Sequence, residues 1–78
     1  ASSYVLAPST DSGSMKLYGN VATNGSYIIF DAFGRNIYSA NLQTGTEQNI
    51  KAPIKSAGIY MVKFNIDNKS FTKKVLWN

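Results

Sequence analysis

The stretch IYMVKFNIDNKSFTKKVLW, residues 59–77, carries the clearest strand pattern in the chain. Side chains of residues 60–66 fall alternately on two faces, one holding Tyr60, Val62, Phe64 and Ile66 and the other Met61, Lys63 and Asn65. This period of two is typical of a half-buried β-strand. Residues 67–69, Asp-Asn-Lys, tolerate the positive φ angles of a tight turn, so residues 71–77 are predicted to return antiparallel to residues 59–66.

Shorter strand-like segments, separated by turn residues, precede this hairpin. They span residues 15–19, 27–31, 36–42 and 47–51, and one more strand forms if residues 4–6 pair. Gly34 is the predicted left-handed residue of the turn after the second segment. Pro53 is predicted to end the fourth segment or to lie on a sheet edge, because proline cannot donate to a strand ladder. Six or seven short strands indicate an all-β sandwich or barrel.

A chain of 78 residues accommodates one small domain. We interpret residues 1–14 as a linker or first edge strand and residues 15–78 as the β-domain. The predicted core consists of the inward-facing residues Leu17, Ile28, Phe30, Ile37, Ile50, Tyr60, Val62, Phe64 and Val75. This set fills a thin core between two sheets and leaves no room for a ligand cavity.

Histidine and cysteine are absent from the chain, whose formal net charge is +4. Their absence excludes Ser-His-Asp and Cys-His catalysis, and also metal sites built from His or Cys. The remaining acid–base candidates are Asp11, Asp31, Glu47 and Asp67. So small a chain cannot build a substrate cleft around these carboxylates, and they form no dense acidic loop that would bind calcium. We therefore expect no enzyme activity, metal or cofactor.

The polar and apolar patterns also bear on partners. The longest apolar run, residues 27–30, is far shorter than the roughly 20 residues of a membrane-spanning helix, so no membrane span is expected. A nucleic-acid site would need a denser basic stripe with interleaved aromatic residues. We expect no nucleic-acid partner.

Three segments, in this order, resemble the C-terminal sorting domain of proteins exported by the type IX secretion system. They are YIIFDAFGRNIY at 27–38, SAGIYMVK at 56–63 and FTKKVLW at 71–77, and the resemblance extends over residues 7–78. The positions that match the family's motifs are Asp31, Gly34, Arg35, Gly58, Tyr60, Lys73 and Lys74. The family often opens with a Tyr-Pro-Asn-Pro-like segment, from which residues 6–11, Leu-Ala-Pro-Ser-Thr-Asp, depart.

The resemblance implies a small Ig-like antiparallel β-sandwich of six or seven strands that lies at the C-terminus of a larger secreted protein in Bacteroidetes and related bacteria. It implies a sorting signal that directs this cargo, by recognition and without catalysis, through the periplasm to the cell surface or medium. The expected partners are protein components of the outer-membrane secretion machinery and the upstream cargo domain. The residues expected to be recognised are Gly58, Tyr60, Lys73 and Lys74.

Each of these motifs also has a purely structural interpretation. Gly58 can be a loop glycine before a core tyrosine, and Asp31 can fix its turn by accepting backbone N–H groups and pairing with Arg35. The lysines can solvate exposed strands and protect sheet edges from aggregation. Lys73 and Lys74 project to opposite faces of one strand, so they cannot both serve one flat patch.

A carbohydrate-binding or adhesive module attached to a secreted enzyme is the alternative function. Such modules are often small β-sandwiches, and Tyr4, Tyr18, Tyr38 and Trp77 are the candidates for a glycan-stacking platform. Trp77 has two interpretations, as a core or rim residue of the sandwich or as an exposed stacking residue near the end of the chain. We favour the sorting function over this alternative.

Overall fold

The computed structural model describes residues 4–8, 14–54 and 56–77. These residues form seven β-strands and, within those ranges, no helix. The strands are β1 (Val5–Pro8), β2 (Ser14–Val21), β3 (Gly25–Phe30), β4 (Asn36–Leu42), β5 (Gly45–Lys51), β6 (Gly58–Ile66) and β7 (Lys69–Trp77). The all-β prediction is confirmed.

Two antiparallel sheets make up the sandwich. One has three strands in the order β1-β2-β5, and the other has four in the order β4-β3-β6-β7. The chain therefore changes sheets after β2, β4 and β5. This arrangement is compatible with the predicted small Ig-like sandwich. β1 is one of the two edge strands of the smaller sheet, while the domain boundary at residue 14 stays a prediction.

The terminal hairpin forms as its sequence predicts. β6 and β7 pair along their whole length, from Gly58 opposite Trp77 to Ile66 opposite Lys69. Asp67 and Asn68, with φ angles of 49° and 69°, make the two-residue turn between them. Positive φ at both turn residues matches the right-handed twist of the flanking strands, which is why Asp and Asn suit this turn.

The core lies between the two sheets, and both contribute to it. Leu17 and Ile50 come from the smaller sheet, and they are fully buried together with Val62 and Phe64 of the larger one. Burying one such side chain contributes about 1.5–3 kcal/mol relative to leaving it exposed. The whole cluster consists of Met15, Leu17, Val21, Tyr27, Ile29, Leu42, Ile50, Val62, Phe64, Ile66, Val75 and Trp77.

The predicted orientation of β3 and β4 is wrong. Ile28 and Phe30 were expected in the core, but the structure buries Tyr27 and Ile29 instead, and Ile37 is 39% exposed. Residues 27–30 are apolar on both faces, so alternation alone does not choose between them. The choice comes from pairing with β6, which sets Tyr27 opposite Phe64 and Ile29 opposite Val62, since paired residues share a face.

Candidate recognition site

The four residues expected to be recognised all lie on the terminal hairpin, but they do not share a surface. Tyr60 is half-buried and packs against the core, and Gly58 begins β6 beside Trp77. Lys73 follows the inward-facing alternation of β7, and the next residue, Lys74, is exposed on the opposite face. The structure therefore separates the two lysines.

Tyr60 closes the loop that leads into β6. Its hydroxyl donates a hydrogen bond to the carbonyl of Ser56 at 2.7 Å, and its ring meets Trp77 edge-on with centroids 6.5 Å apart. Gly58 has a φ of 159°, close to extended, and a Cβ there would approach only the Tyr60 ring, at 3.9 Å. Tyr60 thus has a structural role at the start of the hairpin, whereas the space around Gly58 does not require a glycine.

Lys73 lies on the core-facing side of an edge strand, between Phe71 and Val75, and is partly buried. Inward-pointing charges on edge strands are one device by which β-proteins avoid edge-to-edge pairing. Lys74 faces solvent opposite Met61. Of these two lysines, Lys74 is therefore the one on the broad outer surface of the four-stranded sheet.

Asp31, Gly34 and Arg35 build the turn between β3 and β4. One carboxylate oxygen of Asp31 accepts the backbone N–H groups of Phe33 (2.9 Å) and Arg35 (3.0 Å), and the other accepts Arg35 Nε–H (2.7 Å). These contacts, led by the backbone N–H of Arg35, lower the pKa of Asp31. Gly34 has a φ of 84°, so the left-handed residue predicted here is confirmed. The motif is a self-contained turn.

The turn of the terminal hairpin has a function that the sequence does not reveal. The Asp67 carboxylate accepts the backbone N–H groups of Ala22 (2.9 Å), Thr23 (2.8 Å) and Asn24 (3.3 Å), and the Thr23 hydroxyl at 2.8 Å. These donors, led by the Ala22 N–H, lower the pKa of Asp67 strongly. We call this arrangement the Asp67 clamp. It fastens the chain where it crosses from β2 to β3, between the two sheets.

The aromatic residues proposed for glycan stacking do not form a platform. Trp77 is 1% exposed, so of its two interpretations the structure shows the core one. Tyr4 stacks on Phe71 with centroids 5.0 Å apart and lies so close to Gly19 that a Cβ there would be 2.2 Å from the Tyr4 ring. Tyr18 is 42% exposed, whereas Tyr38 is partly buried and packs against the core. No observation favours the carbohydrate-binding alternative.

The outer face of the four-stranded sheet carries an apolar surface that the sequence reasoning missed. Its members alternate with the core residues of their strands, and none belongs to the core cluster or packs against it. We call it the outer-face patch, and it consists of Ile28, Phe30, Ile37, Ile59, Met61 and Leu76. Three of these residues had been assigned to the core, which hid the patch. The available signal was that β3 is apolar on both faces.

Within the described ranges, no group of three or more His, Cys, Asp or Glu side chains is arranged to hold a metal ion. Nor does that part of the chain contain a helix long and apolar enough to cross a membrane.

Comparison with known proteins completes the assignment. The family model for the secretion system C-terminal sorting domain matches residues 7–78. A comparison with curated proteins gives no match. The family match covers nearly the whole chain, including both hairpins and the Asp67 clamp. The chain therefore belongs to the secretion system C-terminal sorting domains, which direct the proteins that carry them through the type IX secretion system to the cell surface or medium.

Proposed function

We propose that the secretion machinery recognises this domain as a folded surface, without catalysis, and that the β6–β7 hairpin presents that surface. In this proposal, the cargo domain lies upstream in the same chain and reaches the periplasm first. Protein components of the outer-membrane machinery then bind the hairpin. The proposal keeps Lys74 as a contact residue, and Tyr60 shapes the start of the hairpin through its contacts with Ser56 and Trp77.

The preformed geometry of this hairpin is the observation that carries the proposal. All nine residues of β6 pair with the nine residues of β7, and a two-residue turn joins the strands. Val62, Phe64 and Ile66 anchor β6 in the core. A partner that binds such a rigid element loses little free energy to ordering it.

The outer edge of β7 offers a second mode of contact. β7 is the last strand of its sheet and pairs only with β6 among the described strands. A partner strand could add to this edge, as in other cases of strand addition. Lys73, on the inward side of this edge strand, would restrict such pairing to a partner that accommodates its charge.

The contacts of the carboxylates support recognition without catalysis. Asp31 holds its own turn, Asp67 forms the clamp, and Glu47 pairs with Lys16 at 2.6 Å. A general acid or base must be free to reach a substrate proton. Among the described residues, each carboxylate is instead engaged in a structural contact.

Export of a reporter tests this function. A periplasm-targeted fluorescent protein is fused ahead of residues 1–78 and expressed in a bacterium with a working type IX system and in its secretion-deficient mutant. We expect fluorescence at the surface or in the medium of the competent strain only. Retention of an intact, folded fusion in both strains would contradict the proposal.

A further inference from the structure

Residues of the outer-face patch are direct neighbours across two strand pairs. Ile59 is directly opposite Leu76 on the β6–β7 ladder, and Phe30 is directly opposite Met61 on the β3–β6 ladder. Cross-strand partners on one face have Cβ atoms about 5 Å apart, so these side chains form a continuous apolar area. Ile28 extends this area along β3, two residues before Phe30, and Ile37 lies on β4 next to Asn36, the residue opposite Phe30.

The fold itself does not account for this patch. Leu76 is 64% exposed, Ile59 48% and Ile37 39%. Single exposed aliphatic residues are ordinary in small proteins, but a contiguous apolar area on one sheet face marks an interaction site. Burial against a partner is the arrangement that removes this area from water.

The charges beside the patch indicate the chemistry of its partner. Lys74 lies opposite Met61, and Lys63 lies beside Ile28, so the two lysines are diagonal neighbours on the outer face. Neither forms an ion pair with another residue in ranges 4–8, 14–54 and 56–77. Of the described carboxylates, Asp31 pairs with Arg35, Glu47 pairs with Lys16, and Asp67 accepts the hydrogen bonds of the clamp. The face therefore presents unbalanced positive charge.

The remainder of the outer face is uncharged and polar. It carries Ser26, Ser39, Asn41, Asn65, Ser70 and Thr72. An apolar area bordered by charged and polar groups has the layout of a protein–protein interface. A second copy of this chain fits poorly, because a two-fold interface over the patch would bring lysines of both copies together.

We infer that the outer-face patch, with Lys63 and Lys74, is the docking surface for a protein of the secretion machinery whose own surface has an apolar centre bordered by carboxylates. The inference rests on the proposed function and specifies the face that is recognised. The aliphatic side chains would supply the buried area, and the lysines would select the partner and accelerate the encounter.

Two variants of the reporter fusion test the surface. Ile59→Thr with Leu76→Thr removes its most exposed aliphatic pair and places at both positions threonine, a β-branched residue that suits strands. Lys63→Glu with Lys74→Glu reverses its charge. The controls are Val5→Thr, an exposed aliphatic residue of the other sheet, and Lys51→Glu, a charge reversal at an exposed position of β5 that lies outside both the surface and the β6–β7 hairpin. Thermal melting of each purified variant accompanies the export measurement.

Both surface variants should lower the exported fraction about tenfold at an unchanged Tm, which corresponds to about 1.4 kcal/mol of binding free energy. Both controls should be exported like the parent. Because the reporter replaces the native cargo, docking of the cargo domain cannot produce this result. Normal export of both surface variants, in a strain that exports the parent, would overturn the inference and leave the proposed function standing. Equal loss in the controls would also overturn it.

The oligomeric state provides an independent check. Sedimentation of the purified 78-residue chain should show a monomer at every concentration. A dimer that Leu76→Thr dissociates would assign the patch to a second copy and contradict the inference. Failure of the parent fusion to be exported would instead reject the proposed function, so the two failures are distinguishable.

Discussion

The two turns of the four-stranded sheet both depend on an aspartate, yet the two carboxylates work over different distances along the chain. Asp31 bonds to residues two and four positions ahead, inside its own turn. Asp67 bonds to residues 43–45 positions away, on the segment that links the two sheets. The same side chain is a local turn former in one place and a tertiary clamp in the other.

This difference shows how far a local motif can be interpreted. The Asp-x-x-Gly-Arg pattern at residues 31–35 predicts its own hydrogen bonds, because all the partners lie within five residues. The Asp-Asn pair at residues 67–68 predicts a tight turn and nothing about residues 22–24.

Replacing each aspartate with asparagine should separate the two roles. In Asp67→Asn, an NH₂ group faces a backbone N–H of the β2–β3 connection, so one donor is left unsatisfied where the chain changes sheets. We expect Tm to fall by about 10 °C, against about 5 °C for Asp31→Asn. Thermal melting at pH 7 is the measurement. Equal losses would show that the Asp67 clamp is no more important than a local turn.

Substitutions at Gly34 test the turn between β3 and β4 and leave the Asp31 carboxylate unchanged. The φ of 84° at Gly34 is unfavourable for a side chain with a Cβ, although no atom lies within 4 Å of that position. Gly34→Ala should therefore cost about 1 kcal/mol through backbone strain alone. Gly34→Asn is the control, since asparagine tolerates this region, and its loss of stability in urea unfolding should be clearly smaller. A larger loss for Asn than for Ala would contradict the strain argument.

The two carboxylates should also make stability depend on acid. Both pKa values are lowered in the folded protein from the ordinary 3.8, so the unfolded chain binds protons more readily. Their stabilising contribution is therefore complete above about pH 5 and is lost as the pH falls through 4 and below. Melting curves from pH 7 to pH 2 should show this decline, and Asp67→Asn should flatten it more than Asp31→Asn. A parent Tm that stays constant down to pH 2 would refute the prediction.

Lys73 and Lys74 are adjacent in β7 but lie on opposite faces, so substituting each in turn compares the two faces of one strand. Either change to alanine should alter the free energy of unfolding by no more than about 0.5 kcal/mol. Lys74→Ala should reduce export of the reporter about threefold, the scale of one exposed ion pair at a partner surface, while Lys73→Ala should leave it unchanged. If Lys73→Ala reduced export and Lys74→Ala did not, recognition would take place on the inward side or the edge of β7.

Much of the fold follows from local pattern, with one systematic error. The alternation at residues 60–66, the Asp-Asn turn and the left-handed Gly34 are all as predicted, because each depends on near neighbours. Ile28 and Phe30 were placed on the wrong face because β3 is apolar on both faces, and Ile37 because it is an apolar residue on the otherwise polar outer side of β4. That one error moved three surface residues into the core and concealed the outer-face patch.

The candidate site depends more on tertiary structure than the fold does. The sequence identified Lys74 and the terminal hairpin, and its motifs pointed to the sorting family that the comparison confirmed. The sequence left two interpretations of Trp77 open. In the structure Trp77 is buried and its ring packs against Tyr60, so it is a core residue. The outer-face patch beside Lys74 takes its residues from four strands, so no single segment contains the surface.

By itself, the sequence determined the β-class, the hairpins and their turns, the absence of His and Cys chemistry, and the family. Each of these depends on residue inventory or on contacts between residues a few positions apart. Only the tertiary structure decided which face of β3 is buried, what Asp67 holds and where the exposed apolar residues gather. The physical reason is that pairing across strands and packing between sheets join residues distant in the chain, and these contacts choose between arrangements that local pattern leaves equal in energy.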